Sequence, residues 1–344
     1  MEMFPNHRHP ETIDNDSSMR LDVNDIRPDS FHQFPTNHII ANTRADFAIY
    51  LRQDDQFVLY TRKGESFSPE HRKKLESQGV DQVYIPLHQK RAYDEYLRRN
   101  LGQLLDDESI TVAERAKAWS TTTQDMARGF FEQNLPKTTL RIRYKRFEDV
   151  VSQSTRFFQE PRALKELSKF ITKSGKGYGH GVGTMVYTGC ILHTFEPDDL
   201  LMTACCLGAI LHDIGKTRLP SNLLDKAPNT LTDAERTMFI SHPAIGVQLS
   251  ASIPLVPEAI HCVLFHHERE DGRGFPSGAM ADDIPFYAKA VSLANHYDNL
   301  TRGTAYRPPL HPFEALKHIR DDQGAHDPQL FKRLIQILAE AKIA

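Results

Sequence analysis

The sequence predicts an α+β chain, in which a small N-terminal α/β unit of order ββαβα precedes an all-α helical bundle. Three observations carry this. Alternation of apolar and polar residues is confined to the stretch before residue 105. After about residue 150, apolar residues recur at three- and four-residue intervals. A length of 344 residues with 40% hydrophobic content is enough to bury two cores.

Taken in order, residues 1–37 are rich in Asn, Asp, Pro, Ser and His and have few apolar residues to offset the entropy of ordering, so a disordered tail is expected. Residues 46–52 and 56–62 alternate about the polar turn Gln53, Asp54, Asp55 and read as a hairpin, with a third strand at 80–86. Ser68, Pro69 and Glu70 open a helix that Gly79 closes, and 88–100 forms a second helix with Tyr93 and Tyr96 on one face. Residues 38–105 are thus expected to form a small α/β domain. Residues 107–134, ending before Pro136, and 147–158 are helical, so 106–150 is expected to be a helical connector. The bundle, 151–344, has helical patterns at 162–172, 181–194, 231–251, 255–267, 285–302, 312–320 and 328–343.

Composition excludes some functions. With 42 basic against 45 acidic residues and a net charge of -3, no global field favours DNA or a membrane surface. Cys190, Cys205, Cys206 and Cys262 lie in apolar stretches without zinc or disulfide spacing and read as core thiols of a reducing compartment. The longest apolar run, 200–211, is shorter than the ~18 residues of a membrane span, and no signal-peptide core precedes it. A cytoplasmic protein with no membrane span is expected.

The chemistry concentrates in histidines. The apolar run 204–211 leads directly into His212 and Asp213, with Gly215 as a helix stop and Pro220 beyond. A buried carboxylate requires a partner. A lone His-Asp pair can be a structural cap, but His180, His242, His266 and His267 follow at the intervals of successive helices and can converge on Asp213. Imidazoles and a bridging carboxylate suit first-row metals. Two such ions, about 3.5–4 Å apart, are an arrangement used for phosphate-ester hydrolysis. The turn-rich loop from Glu268 to Pro276 has glycines that allow backbone to approach a ligand.

Several motifs stand in sequence: His212-Asp213-Ile214-Gly215-Lys216, Ser241-His242-Pro243, HHEREDGRGFP at residues 266–276, and Tyr297-Asp298-Asn299-Leu300-Thr301. From about His180 to the C-terminus the chain thereby resembles the HD-GYP domain phosphodiesterases of bacterial cyclic di-GMP signalling. The resemblance implies an HD-type bundle in which Asp213 bridges two divalent ions. His180 and His212 would hold one, and His242, His266 and His267 the other. Iron or manganese is expected first, with nickel or zinc also suited. It further implies catalytic roles for His212, Asp213 and Lys216, with Lys216 on a substrate phosphate, and a substrate surface that includes Gly274, Phe275, Pro276, Asp298 and Arg302.

This sequence departs from the family at four positions. Phe275 stands where the family has its signature tyrosine, so a hydroxyl is missing. Asn295 replaces an aspartate ligand, and an amide oxygen is neutral and a weaker donor. Lys176 occupies the place of a glutamate that supports a third metal, which leaves two. Thr304 replaces an arginine that contacts phosphate, with Arg302 and Arg307 nearby. The implied activity is hydrolysis of cyclic di-GMP to the linear dinucleotide pGpG, to GMP, or to both. The alternative is a weakened module that binds cyclic di-GMP or a protein partner as a sensor. A homodimer and a signalling partner such as a GGDEF-domain cyclase are the partner expectations. By analogy alone the N-terminal unit is regulatory. His296 is a candidate additional ligand, whereas His193, His261, His311, His318 and His326 are expected at the surface or in packing.

Overall fold

The computed structural model describes residues 30–54, 56–131, 136–160, 162–171 and 177–344. Two compact units divide between Tyr93 and Asp94.

The first unit is a four-stranded antiparallel sheet of order β1-β4-β2-β3. Its elements are β1 (Phe31–Pro35), β2 (Ile49–Gln53), β3 (Gln56–Thr61), α1 (Pro69–Ser77) and β4 (Gln82–Pro86). The β2–β3 hairpin is the predicted one, turning at Asp54, whose positive φ of 45 is tolerated because its short side chain permits the left-handed region. Phe34, Phe47, Ile49, Phe67, Leu75, Val83 and Ile85 form the core.

β1 corrects the expected tail. Residues 31–35 pair antiparallel with 82–86, and Phe34 is buried. The strand gains its partner from about fifty residues downstream, which local composition does not register; residues 1–29 lie outside the described residues. The sheet is therefore βββαβ rather than ββαβ, and the boundary falls at 93/94 within α2 (Lys90–Arg99), not at 105.

The second unit is helical: α3 (Leu101–Leu105), α4 (Val112–Phe130), α5 (Lys137–Ser154), α6 (Ala163–Ile171), α7 (Gly177–His193), α8 (Asp199–Leu211), α9 (Ser221–Leu224), α10 (Asp233–Ile240), α11 (His242–Ser250), α12 (Pro257–Phe265), α13 (Phe286–Thr301), α14 (Pro312–Asp321) and α15 (Pro328–Glu340). Capping chemistry sets many starts. Thr111 with Glu114 and Thr232 with Glu235 form capping boxes, and Asp198 accepts from the Leu201 N–H. Pro257, Pro312 and Pro328 stand in first turns, where no N–H is needed.

Residues 106–150 are part of this unit rather than a connector. Trp119 of α4 is fully buried, donates from Nε1 to Ser154 Oγ at 2.6 Å and meets Phe158 edge-on. Phe147 of α5 is equally buried, and α5 begins ten residues before the predicted 147. The expected helix 231–251 is two helices, because Pro243 starts a new one beside Ser241.

α8 lies against both α7 and α12, and α13 packs on α7. Among the described residues, the segment Asp199–Arg218 is the one long and apolar enough to cross a membrane, and its most apolar window is 72% buried. A helix packed on most sides is apolar on most faces. This arrangement brings the end of α8 to the centre of the bundle, and the histidines with it.

Candidate metal centre

Three of the histidines sit where helices stop. His212 is the C-cap of α8, His266 the C-cap of α12, and His242 follows the last residue of α10's cap. The carbonyls of a helix's last turn lack intrahelical partners. Each histidine supplies one from its Nδ1: His212 to Ala209 O at 2.6 Å, His242 to Phe239 O at 2.7 Å and His266 to Val263 O at 2.8 Å. The same bond does a second job. A ring whose Nδ1–H is donated keeps a bare lone pair on Nε2.

His180, near the start of α7, reaches the same state by another route. Its Nδ1 donates to Asp298 Oδ2 at 2.6 Å, and Arg302 holds that carboxylate from Nε at 2.9 Å. All four Nε2 atoms then face inward. His180 and His212 stand Nε2 to Nε2 at 3.2 Å, and His242 and His266 at 3.1 Å. Asn295 Oδ1 lies 2.9 Å from His180 Nε2.

Asp213 stands between the two pairs, and its oxygens divide them. Oδ1 is 3.3 Å from His242 Nε2 and 3.5 Å from His266 Nε2, and has no hydrogen-bond partner. Oδ2 is 3.4 Å from His212 Nε2, 3.9 Å from His180 Nε2 and 2.7 Å from the Lys216 ammonium. His267 Nε2, beside Oδ1's group, is also buried without a partner.

Electrostatics makes this arrangement unfavourable without cations. Burial opposes ionisation of Asp213, but its polar surroundings, the Lys216 ammonium foremost, outweigh it and hold the carboxyl well below its usual range. Burial pushes His266 down to about 3 despite Asp213, and drives His180, His242 and His267 down as well. Rings that donate Nδ1–H present their Nε2 lone pairs to each other at 3.1–3.2 Å, a spacing that a shared cation between ring and carboxylate would relieve. The C-terminal ends of α8, α10 and α12, each carrying partial negative charge, point into the same space. The donor set fits two divalent ions: Asp213, His242, His266 and His267 for one, and His180, His212 and Asp213 for the other, with Asn295 Oδ1 adjoining the second.

The remaining candidates fall in different places. Lys216 is half-buried, on Asp213 and 5.5 Å over the Phe239 ring. Phe275 stacks on His267 with centroids 4.4 Å apart. Gly274 is packed so closely on the backbone of His267, Glu268 and Arg269 that a Cβ would collide with it, and Pro276 is exposed. Gly215 likewise lets the turn after Asp213 press against the carbonyl of His242.

Asp298 and Arg302 are turned inward. Both are buried behind His180, and Arg302 also donates to Ile171 O and Gly179 O, at 2.6 and 2.8 Å. The structure thus places these two expected substrate contacts behind the His180 ring, with guanidinium and carboxylate satisfied by each other and by backbone carbonyls. Arg307 is similarly committed, to Asn299 O and Leu300 O. His296 turns away from the centre and pairs with His326 at 2.8 Å, so it is not an added ligand. Lys176 lies outside the described residues.

One contributor was not singled out from the sequence. The Glu268 carboxylate is buried and accepts from Ser277 N, Ser277 Oγ, Gly278 N and Ala279 N, fixing the loop that carries Phe275. Its signal is an acidic residue directly after a paired histidine at a helix end, facing a run of small residues.

Residues 150–330 match the HD domain family. Over 190 residues the chain is 30% identical to cyclic di-GMP phosphodiesterase PA4108 of Pseudomonas aeruginosa, covering 55% of this chain and 46% of that protein. Over 131 residues it is 38% identical to a probable cyclic di-GMP phosphodiesterase of Vibrio cholerae, covering 36% of this chain and 30% of the relative. The chain thus spans less than half the length of either. The solved structure of Bd1817, a HDG"Y"P protein from Bdellovibrio bacteriovorus, shares the fold with a TM-score of 0.62 at 24% identity, over 90% of this chain and 99% of that one. The HD-GYP resemblance read from the motifs holds.

Proposed function

Since the chain belongs to the HD domain family, we propose that it is a metal-dependent phosphodiesterase that hydrolyses cyclic di-GMP to pGpG, to GMP, or to both. The observation that carries this reading is the division of Asp213 between two sets of imidazoles whose Nε2 lone pairs face inward. Two divalent ions, iron or manganese first, would supply Lewis-acid polarisation of a phosphoryl oxygen and a lowered water pKa.

The chain's own groups would do the rest. Lys216, beside Asp213 and partly open to solvent, is placed to take a phosphate oxygen. Phe275 keeps His267 in orientation and offers an aromatic edge to a guanine. Asp298 and Arg302 hold the His180 ring so that its Nε2 stays bare. The proposal includes a regulatory role for the N-terminal unit, a cytoplasmic setting, and a homodimer or a GGDEF-domain cyclase as partner.

The test loads purified protein with iron(II), manganese(II) or nickel(II) and follows cyclic di-GMP by chromatography. Conversion to linear products that disappears in Asp213→Ala is expected, and cyclic di-GMP left intact with all three metals overturns hydrolysis. A second reading, a sensor that binds the dinucleotide without turnover, draws on the internal commitment of Arg302 and Arg307 and on the neutral Asn295. Binding without hydrolysis would favour it, and a panel of other cyclic dinucleotides separates substrate choice from loss of chemistry.

A further inference from the structure

The two sides of Asp213 differ in charge. On the Oδ1 side, the oxygen is unpartnered and three imidazoles surround it. On the Oδ2 side, the oxygen already carries the Lys216 ammonium at 2.7 Å. Among the described residues, that side has no carboxylate beside the imidazole Nε2 atoms other than Asp213 itself. Asn295 presents a neutral amide oxygen, which also accepts from Asn299 Nδ2 at 2.8 Å, and Asp298 lies behind His180 with its charge balanced by Arg302. A divalent ion here would meet two imidazoles, an amide and half a carboxylate already shared with a lysine. Hard, doubly charged ions bind according to the negative charge in their ligand shell.

We propose that the two halves fill unequally: the Asp213, His242, His266 and His267 half holds a divalent ion by itself, whereas the His180, His212 and Asn295 half takes its ion only together with a phosphate anion. The anion contributes the missing negative charge. It also gives Lys216 an alternative partner, which releases Asp213 Oδ2 to the ion. Metal and phosphate therefore bind cooperatively at this half, and by linkage each raises the affinity of the other by the same factor. The inference rests on the metal-dependent reading above.

The full chain is stripped of metal and titrated with manganese(II), free ion being followed by its solution EPR signal, with and without 5′-GMP as a phosphomonoester probe. Without 5′-GMP, one equivalent binds tightly. With 5′-GMP, a second equivalent tightens by about 5- to 150-fold, the usual range of coupling between sites. Asn295→Asp, which adds a carboxylate, and Lys216→Met, which frees Oδ2, each make the second equivalent bind without 5′-GMP. The second variant keeps the test open should the first fold poorly. Two equally tight equivalents in the unmodified protein without 5′-GMP overturn the proposal, as does a second equivalent indifferent to 5′-GMP. No bound manganese at all instead removes the metal-dependent reading itself.

Discussion

His242 and His180 stand on opposite sides of one carboxylate and are oriented by different means. On the first side, Nδ1 of His242 and of His266 is anchored on a carbonyl three residues earlier in the chain, so the ring is fixed as soon as the helix ends. On the second, His180 depends on Asp298, 118 residues away, and Asp298 depends in turn on Arg302. His212, on the same side as His180, is held like His242 by local backbone, through Ala209 O, so the dependence on a tertiary ion pair is particular to His180. The difference teaches that a centre symmetrical in ligand count can be unequal in robustness, because a helix carbonyl cannot be mutated away and a carboxylate can.

Asp298→Asn puts the largest strain on this comparison. It removes the charge and one of the two acceptor oxygens that hold the His180 ring and Arg302 together, and leaves Arg302 buried without its counter-charge. Loss of such an outer partner lowers metal affinity by about 10- to 100-fold. Breaking a buried pair on one side costs about 3–5 kcal/mol of stability. Metal titration should show the loss confined to the His180 half, and denaturant unfolding should show Arg302→Met in the same background restoring part of the stability. Equal loss on both halves would end the distinction.

The other half has its own outer support in Glu268, beneath the loop that stacks Phe275 on His267. Glu268→Gln turns a carboxylate that accepts four bonds into an amide with a donor facing donors. Hydrogen bonds to a charged group are worth about 1.5–3 kcal/mol. The expected outcome is a rise in KM for the cyclic dinucleotide with manganese content unchanged, read by parallel kinetics and elemental analysis. A fall in metal content instead would mean that the loop also holds His267.

The smallest effect lies on the back of α13, where His296 and His326 face each other. Burial pushes His326 down to about 3 and His296 to about 4, from an ordinary value of 6.5. The unfolded chain therefore binds more protons than the folded one between those values, so this contribution to stability is present above about pH 6.5 and falls as the pH drops towards 4. Urea midpoints at pH 7 and pH 5 should diverge, and His326→Gln should narrow the gap. An unchanged gap would assign the acid sensitivity to the metal centre's own histidines.

Much of this was legible in the sequence where the physics is local. The three- and four-residue spacing announced the bundle, and the apolar run ending at His212 and Asp213 announced a charged pair in a buried place, because burial of a carboxylate demands a partner. The hairpin about Asp54 was visible for the same reason, its strands being adjacent in the chain. β1 was not: its residues 31–35 gain order only from pairing with 82–86. Nor was the inclusion of α4 and α5 in the bundle, since Trp119 reveals its burial only when Ser154 and Phe158 meet it.

At the centre the same line divides what each level decides. The sequence by itself determined which residue types are present, their order on successive helices, and the neutral amide at Asn295. Only the tertiary structure decided that Arg302 turns inward to Asp298, that His296 turns away, that Asp213 gives one oxygen to each pair of rings, and that Lys216 occupies one of those oxygens. The reason is that a side chain's partner is set by which helix faces pack together. Helix spacing says that Asn295, Asp298 and Arg302 follow one another along nearly one face of α13, but what that face meets is known only once α7 lies against it.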